Sequence, residues 1–472
     1  MNIRKLLSDF SVAVVAQGLA LLASVSVTLL LPKIMGVVSF GYWQLFMFYA
    51  TYVGFFHLGL NDGVYLINGG RDRSAINKSS ILSQFFVAGI LQTIFAFVIV
   101  IAALFGNLPG ERSFVIIMTA LFMLPNNLAL YIGYVFQAMN ETKLFSFSSI
   151  VDRLVFFVPM IFMLLLRVDQ FEPYIIANCF GAICRLLFCL YFFRDFLRSK
   201  PDSIRVALKD SVHSISVGVK LMIATIASSL ILGVGRAIID MRWGIEAFGK
   251  FSLSLSMVTF FLNFVLQASM VLFPALRQTD NRHIAKFYKN TLDILDIFFP
   301  AVYLLYFPMA WMLSLWLPQY QDSLTFLAYL LPICVFDSKM NIACVTLMKV
   351  RREETRLLVI NIVSVAVCAV LSLWCAYLLN SMYAVVAGMV IAIIGRSIYS
   401  EWYMSRALGL QPSLASIADV MLSFIFIILT VRSSAAFAFC AYLTSYLIFL
   451  FLFRDNLKKL KSAFSQALKT KI

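Results

Sequence analysis

Runs of twenty or more apolar residues recur along this chain with only short polar breaks between them. A helix needs about 20 such residues to cross the hydrocarbon of a bilayer. The stretch 94–105, Ile-Phe-Ala-Phe-Val-Ile-Val-Ile-Ala-Ala-Leu-Phe, is apolar on every face and has no side to turn toward water. Fourteen such spans are expected, at roughly 10–34, 40–66, 79–105, 113–137, 144–167, 172–196, 212–240, 246–273, 292–317, 323–348, 357–379, 382–405, 414–431 and 434–453. Barrel strands would be about ten residues long and alternate in polarity. The composition agrees: 62% of residues are hydrophobic and 13% charged, against about 45–50% and about 25% in soluble domains. The expected class is an all-α polytopic membrane protein. The connections are too short to hold a soluble catalytic domain. The first span is too long an apolar run for a signal peptide.

The net charge of +15 would suit a nucleic-acid binder, but its distribution does not. With the N-terminus in the cytoplasm, 26 of the 38 Lys and Arg fall on the cytoplasmic side, six outside and six within spans. That asymmetry is the positive-inside rule, and it sets topology against an anionic inner leaflet. Both termini are then cytoplasmic, and no nucleic-acid partner is expected. All eight Cys lie within apolar spans and read as small buried hydrophobes. The three His have no partners at metal-ligand spacing, so neither metal nor cofactor is expected.

Residues 8–48 match 216–256 at a constant offset of 208. Gly36 meets Gly244, and Phe40-Gly41 meets Phe248-Gly249. Each glycine suits a tight extracellular turn that needs positive φ. A second match pairs Glu141-Thr142-Lys143-Leu144 with Glu354-Thr355-Arg356-Leu357. The expected organisation is a six-helix lobe over 1–205, a second over 206–410, and two additional helices with a basic tail over 411–472. Parallel repeats of this kind place a substrate site between the halves near the bilayer midplane.

Counting inward from span boundaries puts five basic residues at mid-depth: Arg153, Arg185, Lys220, Lys339 and Arg396. Facing lipid, five such charges would cost on the order of 12–18 kcal/mol, so they must face the protein interior or a wet cavity. Acids at that depth are fewer, Asp152 and Asp337. Asp62, Asp293, Asp296, Glu401 and Asp419 are placed nearer cytoplasmic ends, where water reaches. Asp337 and Lys339 stand about 200° apart around a helix and cannot pair with each other. Lys220 and Arg396 have no acid three or four residues away. The bland alternative is a set of structural ion pairs, strongest for Arg153 beside Asp152. An uncompensated cationic cavity suits an anionic substrate, since Arg offers bidentate phosphate contacts and Lys a point charge. Asp62, in a glycine-flanked segment, and Asp337, buried without a local partner, are the ion-coupling candidates. Trp43, Trp243, Trp311 and Trp316 read as interface belt residues.

The run Leu31-Pro32-Lys33-Ile34-Met35-Gly36 before Phe40-Gly41-Tyr42-Trp43, and Leu58-Gly59-Leu60-Asn61-Asp62-Gly63, with fourteen spans in six-span repeats, resemble the Wzx-type polysaccharide flippases. These belong to the superfamily that includes MATE exporters and lipid II flippases. The resemblance implies a bacterial inner-membrane transporter, not an enzyme. It would move an undecaprenyl-pyrophosphate-linked oligosaccharide, such as an O-antigen unit, by alternating access. It also implies a proton or sodium gradient as drive, membrane lipids around the chain, and a polysaccharide polymerase among possible partners. The rival readings are a MATE-like drug exporter, which should show an acidic cavity, a lipid II flippase, and a membrane glycan polymerase. The last usually carries a large external loop, and here none reaches about 20 residues.

Overall fold

The computed structural model describes residues 26–277, 281–411 and 413–454. Among them the chain is helical, with no strand. A first compact unit ends at Ile226. It contains α1 (Leu31–Tyr52), α2 (Leu60–Asn68), α3 (Lys78–Phe105), α4 (Gly110–Ala138), α5 (Thr142–Leu165), α6 (Glu172–Phe192) and the short α7 (Arg194–Leu197). Helix α8 (Ile204–Arg277) continues into the second unit, which begins at Ala227. That unit also holds α9 (Asn281–Phe298), α10 (Val302–Trp316), α11 (Gln321–Leu330), α12 (Pro332–Lys339), α13 (Thr346–Val350), α14 (Glu354–Tyr377), α15 (Met382–Ala407), α16 (Leu414–Arg432) and α17 (Ala435–Leu452). The division falls inside α8, whereas the expected boundary at 205 lies in the polar connection before it.

Eleven helices among the described residues are long and apolar enough to cross a membrane. Three local features separate this from fourteen. The first expected span lies mostly outside the described residues, as does the basic tail from 455. The seventh and eighth both fall within α8, two helical stretches that meet at the break at Gly244, and count once. The second is broken in the middle. Outward-facing residues such as Phe97, Leu104 and Phe105 are 63–80% exposed, which suits lipid and not water. Trp43 corrects its expected place in the interface belt: it is buried and stacks on Phe156 at 5.5 Å.

Gly36 and Gly244 share one unusual conformation, φ 73° and ψ 179° against φ 81° and ψ −174°. Each breaks an otherwise helical run at a single residue, a tighter turn than the gaps expected at 35–39 and 241–245. Beyond the adjoining backbone, no atom of the described residues stands within 4 Å of where a Cβ would sit at either glycine. The backbone, not lack of space, therefore demands glycine. A second correspondence lies at the C-terminal ends of α4 and α13. Glu141 N–H donates to Phe136 O and Glu353 N–H to Met348 O, both at 2.8 Å, after Asn140 and Arg352, each at φ 58°. These are matching Schellman-type ends. They pair Glu141 with Glu353, one residue earlier than the Glu354 chosen by matching residue types.

The broken second span runs from α1 through a 3-10 turn, Val53–His57, to Leu58 (φ 53°) and Gly59 (φ 87°), then α2. Such a break frees carbonyls, which hydrocarbon cannot satisfy. Side chains of α3 and α4 take them up. Asn127 donates to Val53 O (2.8 Å) and Gln92 Oε1 (2.9 Å), while Gln92 donates to Phe56 O (2.7 Å). Asn61 donates in turn to Asn127 O at 3.2 Å. Beyond the break, Gly59 and Gly63 meet Ser214 and Gly218 of α8 backbone to backbone. A Cβ on Gly63 would stand 1.8 Å from Ser214 O, and one on Gly218 2.1 Å from Gly59 O. Small residues spaced by four on both helices permit this approach.

In the connection between α2 and α3, Arg73 ties three segments together. Its guanidinium donates to Asp195 Oδ1 (2.7 Å) and Oδ2 (3.2 Å), to Glu141 Oε2 (2.8 Å) and to Phe192 O (2.5 Å). Lys78 joins Asp195 at 2.9 Å. Both cations also lie over the Phe196 ring. Partial burial pushes the Asp195 carboxyl up, but Arg73 and Lys78 outweigh it and bring it down to about 2. A carboxyl lowered by folding stabilises above its unfolded value near 3.8 and loses that contribution as pH falls toward 2. Two outcomes follow for unfolding in detergent. Asn127→Ala should destabilise by about 1–3 kcal/mol, because it strands a buried carbonyl. Arg73→Met should lower the unfolding midpoint at neutral pH, with the difference from wild type closing as the pH is lowered through this range.

Candidate functional site

The span Pro318–Val350 is made of a 3-10 turn (Pro318–Tyr320), α11, α12, a π-helical turn (Met340–Val345) and α13, and 83% of the residues in its most apolar 18-residue stretch are buried, against 33% for α14. It is the most enclosed spanning helix among those described, and Lys339 sits on it. Lys339 is 1% exposed and pairs with Asp296 of α9 and, at 2.5 Å, with Asp419 of α16. Both acids have no exposed surface. Glu401 of α15, 5% exposed, lies within electrostatic reach of Lys339. Hydroxyls complete the group: Ser413 donates to Asp296 Oδ2 at 3.1 Å, and Ser416 to Glu401 Oε1. Two expectations are corrected. Lys339 is enclosed by carboxylates rather than lining a cavity. Asp296, Glu401 and Asp419, placed by depth counting within reach of water, are interior.

Arg396 of α15 is also paired. Its guanidinium meets Asp337 of α12 and lies 3.4 Å from both Asn361 Oδ1 of α14 and Ser228 Oγ of α8. Asp337 accepts a further bond from Asn341 at 3.0 Å. It is half-buried and partnered, which corrects the expectation of an unpartnered carboxyl. Arg396 nevertheless forms part of the wall of a groove of about 1200 Å³ between α14 and α15. Val359, Val363, Val367 and Ile391 supply its apolar lining, and Ser364 adds a hydroxyl. Glu353, Arg356 and Tyr403 also line it. There Tyr403 donates to Glu353 at 2.7 Å, and Arg356 lies 4.3 Å over the Tyr403 ring.

In the first unit the structure brings Arg153, Arg185 and Asp62 toward one region. Arg185 of α6 is buried, lies 6.0 Å over the Phe145 ring, and keeps its Nε without a hydrogen-bond acceptor among the described residues. Asp152 of α5 lies within electrostatic reach of Arg153 and Arg185. Its side chain packs where a Cβ on Gly181 would stand, 3.1 Å from Oδ1. Arg153 is exposed. Tyr134 of α4 feels both Asp62 and Arg185, and its ring meets Tyr65 of α2 at 5.9 Å. Lys220 of α8 is exposed and makes no ion pair among the described residues.

Asp62 occupies the first turn of α2, where the helix dipole favours an anion. Its Oδ2 stands 3.8 Å from His57 Nε2. His57 Nδ1 accepts the Gly59 N–H at 3.0 Å, so in the neutral ring the proton resides on Nε2 and points to Asp62. Depth counting passed over His57. The available signal was a histidine five residues before an acid in a glycine-interrupted span, where irregular backbone lines functional cavities.

The fold can be set beside known structures. The lipid II flippase MurJ in an inward closed conformation matches with a TM-score of 0.66 at 11% identity, covering 94% of this chain and 99% of that one. An inward-facing multidrug resistance MATE family transporter of the MOP superfamily gives 0.61 at 13%, covering 81% and 94%. An outward-facing one gives 0.54 at 14%, covering 84% and 95%. No curated protein sequence matches. The class is therefore a multi-pass membrane protein with the fold of the MATE and MurJ structures. Residues 6–280, more than half of the chain, match the family described as polysaccharide biosynthesis protein, and the chain belongs to that family.

The Arg396–Asp337 pair predicts a non-additive mutant cycle. Arg396→Met alone should destabilise by about 3–5 kcal/mol, because it leaves a carboxylate uncompensated. Adding Asp337→Leu should recover most of that loss in thermal unfolding of the detergent-solubilised protein. Additive losses would reject the pair as a buried unit.

Proposed function

We propose that the protein is a flippase that moves an undecaprenyl-pyrophosphate-linked oligosaccharide, an O-antigen or similar repeat unit, across the bacterial inner membrane. Family membership over residues 6–280 carries the reading. Such a head group cannot cross hydrocarbon unaided, because its polar groups would lose their hydrogen bonds. The reading has both termini cytoplasmic, alternating access as the mechanism, and a proton or sodium gradient as the drive. It makes the chain a transporter and not an enzyme.

Of the five nominated cations, Arg185 and Lys220 suit the phosphates best. Arg185 is buried with an unused donor, and Lys220 has no carboxylate partner among the described residues. Arg153 ranks after them, its charge shared with Asp152. Lys339 and Arg396 are already occupied by acids, which turns them toward structure. Asp62, facing His57, is the stronger ion-coupling nomination, since Asp337 is held by Arg396 and Asn341. The same pairing favours a second reading, export of small molecules, because it removes two charges from the cationic excess that argued against it.

Complementation of a flippase-null strain separates the two. The wild-type chain should restore surface glycan. Arg185→Gln and Lys220→Gln should each lower it about tenfold or more at equal membrane abundance, the scale of one lost charge-assisted hydrogen bond. Full export by both variants removes the nominated contacts. No restoration by the wild-type chain with any glycan, together with acquired drug resistance, moves the assignment to the exporter.

A further inference from the structure

The carboxylates around Lys339 outnumber their counter-charge. Asp296, Glu401 and Asp419 come from α9, α15 and α16, and none is more than 5% exposed. Fully ionised, they would leave two uncompensated negative charges beside one ammonium, in a part of the molecule where desolvating each ion costs several kcal/mol. A second observation is independent of that count. Asp419 Oδ1 has no hydrogen-bond donor among the described residues, although the residue has no exposed surface. An ionised carboxylate offers about four acceptor sites. Asp419 uses Oδ2 on Lys339, and its other oxygen is left with nothing to accept from.

The surroundings do not supply the missing positive charge. Arg396, on α15 five residues before Glu401, is held by Asp337. Tyr288 on α9, Tyr303 on α10, and Tyr442 and Tyr446 on α17 contribute phenols. Cys334 and Cys344, from α12 and the π turn, contribute thiols. Asp293, half-buried and one turn before Asp296, is a further acid on α9.

We propose that the Asp296–Lys339–Glu401–Asp419 cluster is a binding site for an exchangeable proton. An O–H bond forms on one of the carboxyl oxygens, the proton coming from water on one side of the membrane and returning to water when that bond breaks. Loaded, the cluster carries one excess negative charge instead of two and is the more easily kept dry and packed. Unloaded, its excess negative charge calls for water, which favours separation of α16 and α15 from α12. The use of that proton as a driving ion rests on the transporter reading. The binding itself does not.

The test is infrared difference spectroscopy of the full chain in lipid nanodiscs, titrated with acid and base in sodium-free buffer, so that the proton is the only ligand. A protonated-carboxyl C=O band should persist at neutral pH. Glu401→Gln, Asp296→Asn or Asp419→Asn should remove intensity from it, and Lys339→Met should add intensity. If a variant does not fold, 13C labelling of aspartate or glutamate assigns the wild-type band without substitution. Absence of the band at neutral pH overturns the site. So does a band unchanged in all the folded variants and unshifted by both labels. A band present in choline chloride that disappears in sodium chloride shows sodium displacing the bound proton, and so supports an exchangeable proton at the cluster. No cargo enters this measurement. Failed complementation with the band present rejects the flippase reading alone, and restored glycan without the band rejects the proton site alone.

Discussion

Hydrocarbon has no hydrogen bonds to give. Every carbonyl freed by a helix break and every charge carried into the bilayer must find its partner within the protein. The second span is interrupted at Leu58–Gly59, and Asn127 and Gln92 stand where its loose carbonyls need donors. Lys339 is enclosed, and two carboxylates from other helices contact it. Where charge falls outside the apolar spans, as at Arg73, one side chain satisfies three segments at once. The same constraint shapes the glycines. At Gly36 and Gly244 a single residue redirects the chain within one turn, so little backbone is left without intrahelical partners.

Much of the architecture was legible because it is local. Span positions follow from unbroken apolar runs, and both glycine breaks follow from one constant offset. The partners of the charges were not legible, because pairing is a property of tertiary neighbours. Lys339 and Asp419 are 80 positions apart, and Arg396 and Asp337 are 59 apart. Counting depth along each helix in isolation predicted cations without acids and acids near water. Packing of α9, α12, α15 and α16 put the two sets together instead. The one-residue slip at Glu353 has a similar origin, since hydrogen bonds define the turn and residue identity follows them only loosely.

The electrostatic contrast between a phosphate carrier and a cation exporter consequently narrows to the first unit. There Arg185 retains an unused donor, Lys220 is unopposed among the described residues, and Asp152 stands against Arg153 and Arg185. Charge alone discriminates less than the sequence suggested. Membership of the polysaccharide biosynthesis protein family is an observation that does not depend on charge.

Asp419 lies on α16, the next-to-last helix described. Its carboxylate is one of two that contact the deepest lysine of the second unit. The terminal helical pair is thus no detachable appendage. A chain ending before α16 would forfeit one of that lysine's two counter-ions, so any lineage that acquired this contact could shed the ending only by replacing the lysine as well.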